Sequence, residues 1–139
     1  QREGFWIAQE IGDDLPVVRF DRDALLQVLF NLVDNAMKYA CSATERSIAL
    51  RARRRGAGVL VSVRDHGPGV HARHLSRIFE PFYRGGDERT RTTKGTGIGL
   101  ALVKDLSERM GAAVSGANAD GGGFCVRLVF PAVDDAARA

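Results

Sequence analysis

No stretch of this 139-residue chain is apolar for long enough to cross a bilayer. Its opening, QREGFWIAQE, lacks the basic, apolar and small-residue order of a signal peptide. Cysteine is almost absent. Cys41 and Cys125 are the only two, neither has partners at metal-ligand spacing, and both are read as reduced, structural thiols of a cytosolic chain. No zinc-finger or RNA-binding signature occurs, and the arginines are scattered over several segments. A net charge of +3 and a pI of about 9.2 therefore suit an anionic ligand rather than a nucleic acid. Two common phosphate-binding signatures are also missing. G-x-x-x-x-G-K-[ST] occurs nowhere, and the run Gly95-Thr96-Gly97-Ile98-Gly99-Leu100 has Leu where a dinucleotide fingerprint needs its last Gly. There is no internal repeat and no interdomain linker. What remains is one ordinary domain, 45% hydrophobic and 27% charged, long enough to bury a core over residues 1–133. Residues 134–139 are expected to form a flexible tail.

The patterning of that domain is mixed. Phe5 to Ile11 alternates loosely and reads as a first strand. Leu15-Pro16 breaks it, and Val17 to Phe20 reads as a short extended piece. Asp21 suits the N-cap of a helix running to about Ala40. Ile48 to Arg54 and Val59 to Val63 alternate on either side of Gly56-Ala57-Gly58, which predicts a hairpin with one face on a core and arginines on the other. His71 to Phe79 reads as one or two helical turns. Gly85 to Thr96 is polar, has no apolar anchor and is expected to be a mobile lid. Gly97 to Met110 is a second amphipathic helix, with Ile98, Leu102, Leu106 and Met110 stacked and Gly111 as its stop. Ala113 to Ala117 and Phe124 to Phe130 are strands around Gly121-Gly122-Gly123. This order predicts an α+β fold: a two-layer α/β sandwich, its mixed, mostly antiparallel sheet covered on one face by helices.

Chemistry is concentrated in four places. Along the first helix, Leu25, Leu29, Leu32, Val33 and Ala36 form an apolar stripe, while Gln27, Asn31, Asn35 and Lys38 align on another. A solvated surface is the plain reading of such a polar row. Asparagine, however, is a poor helix-interior residue, and two Asn one turn apart present side-chain oxygens of the kind Mg²⁺ accepts. Lys38, one further turn along, can reach a phosphate. Asp65-His66-Gly67-Pro68-Gly69 follows a strand: its carboxylate can accept from an exocyclic amine, and its glycines admit a flat ligand. Phe79-Glu80-Pro81-Phe82-Tyr83 is expected to anchor one end of the lid in an apolar pocket. Lys94 and Gly95 to Leu100 lead into the second helix, where free N–H groups and the dipole favour phosphate. Arg84, Arg89, Arg91 and Lys94 decorate the lid between them.

Taken in order, these motifs resemble the catalytic and ATP-binding domain of bacterial sensor histidine kinases, whose superfamily includes gyrase B, MutL proteins and heat-shock chaperone ATPases. The resemblance covers nearly the whole chain. Asn31–Tyr39 matches the N box, Asp65–Gly69 the first glycine box, Ile78–Tyr83 the F box, and Gly95–Leu100 the second glycine box. It implies ATP and Mg²⁺ as ligands. Asn31 and Asn35 would then hold the metal against the triphosphate, Lys38 would contact phosphate and Tyr39 would lie beside the nucleotide. Asp65 would accept from the adenine amine, with Gly67 and Gly69 shaping the pocket. Lys94, Gly95, Thr96, Gly97, Gly99 and Leu100 would complete the nucleotide site, with Gly97 and Gly99 facing the phosphates.

Two departures refine this. The superfamily's hydrolases resemble one another in carrying a general-base Glu where this chain has Asn31, and an amide cannot take a proton in that role. That favours phosphoryl transfer to a supplied acceptor over hydrolysis, and argues against a GHKL-type ATPase or a protein-serine kinase of the anti-sigma type. The complete motif set argues against a degenerate regulatory module. The second departure is that no phosphoacceptor helix precedes the first strand, so the chain reads as an excised fragment or the tail of a longer protein. His66, His71 and His74 lack an acceptor context and read as surface or loop residues. The expected partners are the phosphoacceptor-histidine domain of the same parent, in a homodimer, and a downstream response regulator. Nucleic acid and membrane contact are not expected of this domain, which would lie in the cytoplasm beneath a membrane-anchored sensor.

Overall fold

The computed structural model describes residues 4–40, 44–81 and 99–133. The expected lid, Phe82 and Tyr83 of the aromatic run, Cys41 and the tail 134–139 lie outside them. The chain runs β1 (Trp6–Ile11), α1 (Arg22–Tyr39), β2 (Ser47–Arg55), β3 (Gly58–Arg64), α2 (Ala72–Leu75), α3 (Gly99–Arg109), β4 (Ala113–Asn118) and β5 (Phe124–Phe130). The five strands form one sheet in the order β1-β2-β3-β5-β4. β1 and β2 are parallel and every other pair is antiparallel. The mixed character follows from connection length. α1 is the crossover that brings the chain back parallel to β1, while the two-residue Gly56-Ala57 turn can only reverse it.

α1 starts where the sequence predicts. The Asp21 carboxylate accepts the Ala24 N–H at 3.0 Å, satisfying one orphan donor of the first turn. Its core line is Val28, Leu32 and Ala36, with Ala40 just beyond. Leu25, Leu29 and Val33, expected at its centre, are only partly buried. The shift has a packing cause: α1 lies both along α3 and over β2 and β3, so its most buried line is the one between those neighbours. The same correction applies to α3. Leu100, Val103 and Ser107 are its buried residues, while Leu106 and Met110 flank the core and Leu102 is half-buried.

The core lies on one side of the sheet. Ile48, Val59, Val63, Phe124, Val126, Leu128 and Phe130 pack there against the helices. Register places Arg51, Arg53 and Arg127 on the opposite side, and all three are exposed. Each fully buried aliphatic side chain contributes about 1.5–3 kcal/mol, so this single layer carries most of the stability. β1 departs from its apparent alternation. It is an edge strand, all six residues are exposed, and only the preceding Phe5 reaches the core. Val17 to Phe20 forms no strand; this segment is irregular, and Phe20 meets Phe130 edge-on. α2 is one short turn capped by His71, whose Nδ1 accepts the Arg73 N–H. All of β2 to β5 otherwise fall within a residue of the predicted strands.

Candidate nucleotide-binding site

β3 delivers Asp65 to the end of the sheet and buries it: only 2% of its surface is exposed. A carboxylate in such a place must be bonded. Its Oδ1 accepts the N–H of Gly67 at 2.8 Å and that of Phe124 at 3.1 Å. Its own N–H donates to the Phe124 carbonyl at 3.0 Å. No donor among the described residues reaches Oδ2, which leaves one acceptor for a ligand. Burial pushes the Asp65 carboxyl above its usual value of 3.8; the Gly67 and Phe124 N–H groups and the charges of His66 and Arg64 offset only part of that.

The loop that follows turns at Gly69, whose φ of +81° is the left-handed region. A Cβ at Gly69 would lie 2.7 Å from Asn118 Oδ1, so the backbone closes directly on that side chain. The next residue, Val70, is held there by both of its main-chain groups. Its N–H donates to Asn118 Oδ1 at 2.8 Å, and its carbonyl accepts from Asn118 Nδ2 at 2.7 Å.

Gln27, Asn31 and Asn35 of the polar row each precede a buried residue of α1 (Val28, Leu32 and Ala36), so the row borders the core line. Gln27 is exposed, and Asn31, Asn35 and Lys38 are half-buried. Lys38 is not idle: its Nζ pairs with Asp34 at 3.0 Å, one turn back. α1 packs against β3, which ends just before Asp65, and against α3, whose first turn holds Gly99 and Leu100. One helix therefore connects the three described motifs. Gly99 is exposed, and a Cβ added to it would meet nothing within 4 Å. The Leu100 side chain is buried in the core, because it lies on the inward face of α3, so a place for Leu100 in the site is one for its backbone. Lys94, Gly95, Thr96, Gly97 and the side chain of Tyr39 lie outside the described residues. Phe79 packs partly against the core.

Sequence reasoning missed Asn118, Gly123 and Phe124. The Gly121-Gly122-Gly123 run reads as a plain turn. A Cβ at Gly123, however, would sit 2.0 Å from the Asp65 carbonyl oxygen, so the turn backs onto the Asp65 loop. The one available signal was length, since three glycines exceed what a tight hairpin needs. Asn118 left none.

Residues 20–134 match the family described as histidine kinase-, DNA gyrase B-, and HSP90-like ATPase. Among curated proteins, the chain is 35% identical over 124 residues to sensor histidine kinase YkoH of Bacillus subtilis, covering 89% of this chain and 26% of YkoH. It is 39% identical over 126 residues to the swarming motility regulation sensor protein RssA of Serratia marcescens, covering 84% of this chain and 25% of RssA. The chain thus spans about a quarter of these relatives' length. Among solved structures, full-length ShkA in complex with AMPPNP superposes with a TM-score of 0.76 at 32% identity, over 94% of this chain and 27% of ShkA. The α+β sandwich, the order of the motifs and a match over most of the length agree: the chain belongs to the histidine kinase-, DNA gyrase B- and HSP90-like ATPase family.

Proposed function

We propose that this domain binds Mg²⁺–ATP and donates the γ-phosphoryl group to a histidine on a phosphoacceptor domain of its parent protein, as one step of two-component signalling. The observation that carries the reading is Asp65: a buried carboxylate with one oxygen saturated by backbone N–H groups and the other without a donor among the described residues. That is a reader for a single amine donor, such as the exocyclic amine of adenine, next to a loop whose glycines admit a flat ring. Gly67 and Gly69 would shape the pocket, and Tyr39 would lie beside the nucleotide.

The α1 row suits the phosphate end. Asn31 and Asn35 offer amide oxygens to a hard cation, which takes the rest of its shell from phosphate and water. Among the described residues no group of three His, Cys, Asp or Glu side chains gathers into a metal site of its own, so the metal is read as arriving with the triphosphate. Mg²⁺, when bound, neutralises charge on the phosphates. Lys38 adds a positive charge at the end of the row, and the segment from Lys94 through Thr96 and Gly97 to Gly99 supplies backbone N–H groups. Transfer of this kind needs positioning and charge neutralisation more than covalent help from the protein.

Hydrolysis is the poorer reading. Asn31 cannot act as a base, and the nearest acid on the helix, Asp34, is tied to Lys38. The acceptor is read as coming from outside the domain, and the exposed apolar side chains of α1 are read as its docking surface. Leu26 and Phe30 are one turn apart beside the polar row and are 54% and 73% exposed. The parent is read as a homodimer acting in the cytoplasm on a response regulator. The test is γ-labelled ATP with the chain alone and with an added phosphoacceptor domain, read as acid-labile phosphate on protein. Label on the added domain alone is expected. Brisk phosphate release by the chain alone would replace this reading with that of an ATPase.

A further inference from the structure

The loop from Asp65 to Val70 is gripped at both ends by a single rung of the sheet. Asn118 and Phe124 are paired residues at the turn end of the β4–β5 ladder. Phe124 holds Asp65, giving its N–H to Oδ1 and accepting the Asp65 N–H on its carbonyl. Asn118 holds Val70, accepting its N–H and donating to its carbonyl at 2.8 and 2.7 Å. A side-chain amide presents an acceptor and a donor side by side, which is what this pair of bonds needs.

The turn behind the rung is itself braced. Ala119 donates to the Gly123 carbonyl at 2.9 Å and Gly122 to that of Ala119 at 3.1 Å. Arg64, which immediately precedes Asp65, donates from Nη2 to the carbonyls of Asp120 and Gly122 at 3.0 and 2.8 Å. Gly123 permits the close approach, with a φ of +94° and no room for a Cβ against Asp65. Among the described residues no other hydrogen bond holds Val70's backbone.

We propose that Asn118 is a positioning residue for the nucleotide base: it never touches the ligand but sets the path of the Asp65–Val70 loop, and through it the aim of the free Asp65 oxygen. This rests on the reading of Asp65 as the adenine reader. A loop held at one end only must be ordered when the base arrives, and that ordering is subtracted from affinity. The effect belongs to the base, not to the phosphates, because the Asn118 side chain bonds to Val70 of the base loop and to no residue of α1 or α3 among those described.

The test compares wild type, Asn118→Ala, Asp65→Asn and the double variant, titrated with ATP and with inorganic tripolyphosphate, both with Mg²⁺, alongside thermal melts. Asn118→Ala is expected to weaken ATP on the order of tenfold and to leave tripolyphosphate unchanged. In the Asp65→Asn background the same substitution is expected to cost almost nothing further, since the group it aims has gone. Unchanged ATP affinity in Asn118→Ala, or an equal loss for both ligands, would overturn the proposal; the second result marks Asn118 as merely structural. A full additional loss in the double variant would also overturn it, by showing that Asn118 does not act through Asp65. If Asp65→Asn alone keeps wild-type ATP affinity, the adenine reading itself falls, a result distinct from the others.

Discussion

Replacing Asp65 by Asn separates what this residue does for the fold from what it does for the ligand. The amide is isosteric. Its oxygen can keep the two N–H bonds from Gly67 and Phe124, at 2.8 and 3.1 Å, so the loop should stand. What changes is the other atom: an open acceptor becomes an NH₂ donor facing the adenine amine, itself a donor. A lost hydrogen bond to a charged group costs about 1.5–3 kcal/mol, which is roughly a 10- to 150-fold rise in the Kd for ATP. Stability should move the other way. Burial raises the Asp65 pKa above 3.8, so the folded chain binds more protons than the unfolded one between 3.8 and the raised value. The contribution of Asp65 to stability is therefore largest below 3.8 and is lost as pH rises through that window. At neutral pH the Asn variant should melt no lower than wild type, and its advantage should shrink in acid. In wild type, ATP affinity should fall as acid protonates the carboxylate that accepts the amine. Calorimetry with ATP and paired melts across pH check all of these. An unchanged Kd, or a variant that unfolds at neutral pH, would refute the reasoning.

Phe30→Asp should leave ATP binding and the melt unchanged, because the ring is 73% exposed, yet reduce phosphotransfer to an added acceptor domain by about 5- to 30-fold, the effect of losing an interface anchor; an unchanged transfer rate would move the docking surface elsewhere. Asp21→Ala removes the cap bond to the Ala24 N–H and should cost about 1 kcal/mol, read as a lower denaturant midpoint at constant slope. Ser107 is wholly buried and its Oγ has no partner among the described residues, so Ser107→Ala should be neutral or stabilising by about 1 kcal/mol, whereas a loss of stability would mean the hydroxyl is bonded in solution.

Local physics was legible in the residues alone. Asp21 before an apolar period announced α1, the alternation around Gly56-Ala57 announced the β2–β3 hairpin, and an Asp followed by two spaced glycines after a strand announced the Asp65 loop. Each of these signals spans a few residues, and each is an interaction the chain makes with itself nearby. The tertiary structure decided the rest. It moved the core line of α1 to Val28 and that of α3 to Val103 and Ser107, because which stripe of a helix is buried depends on where its neighbours lie. It turned Leu100 inward, left Phe30 outward and tied Lys38 to Asp34. Above all it set Asn118 on Val70 and Phe124 on Asp65, bonds between residues 48 and 59 positions apart. Such pairs leave no periodicity and no motif, since the strand pairing that brings them together is a property of the whole sheet.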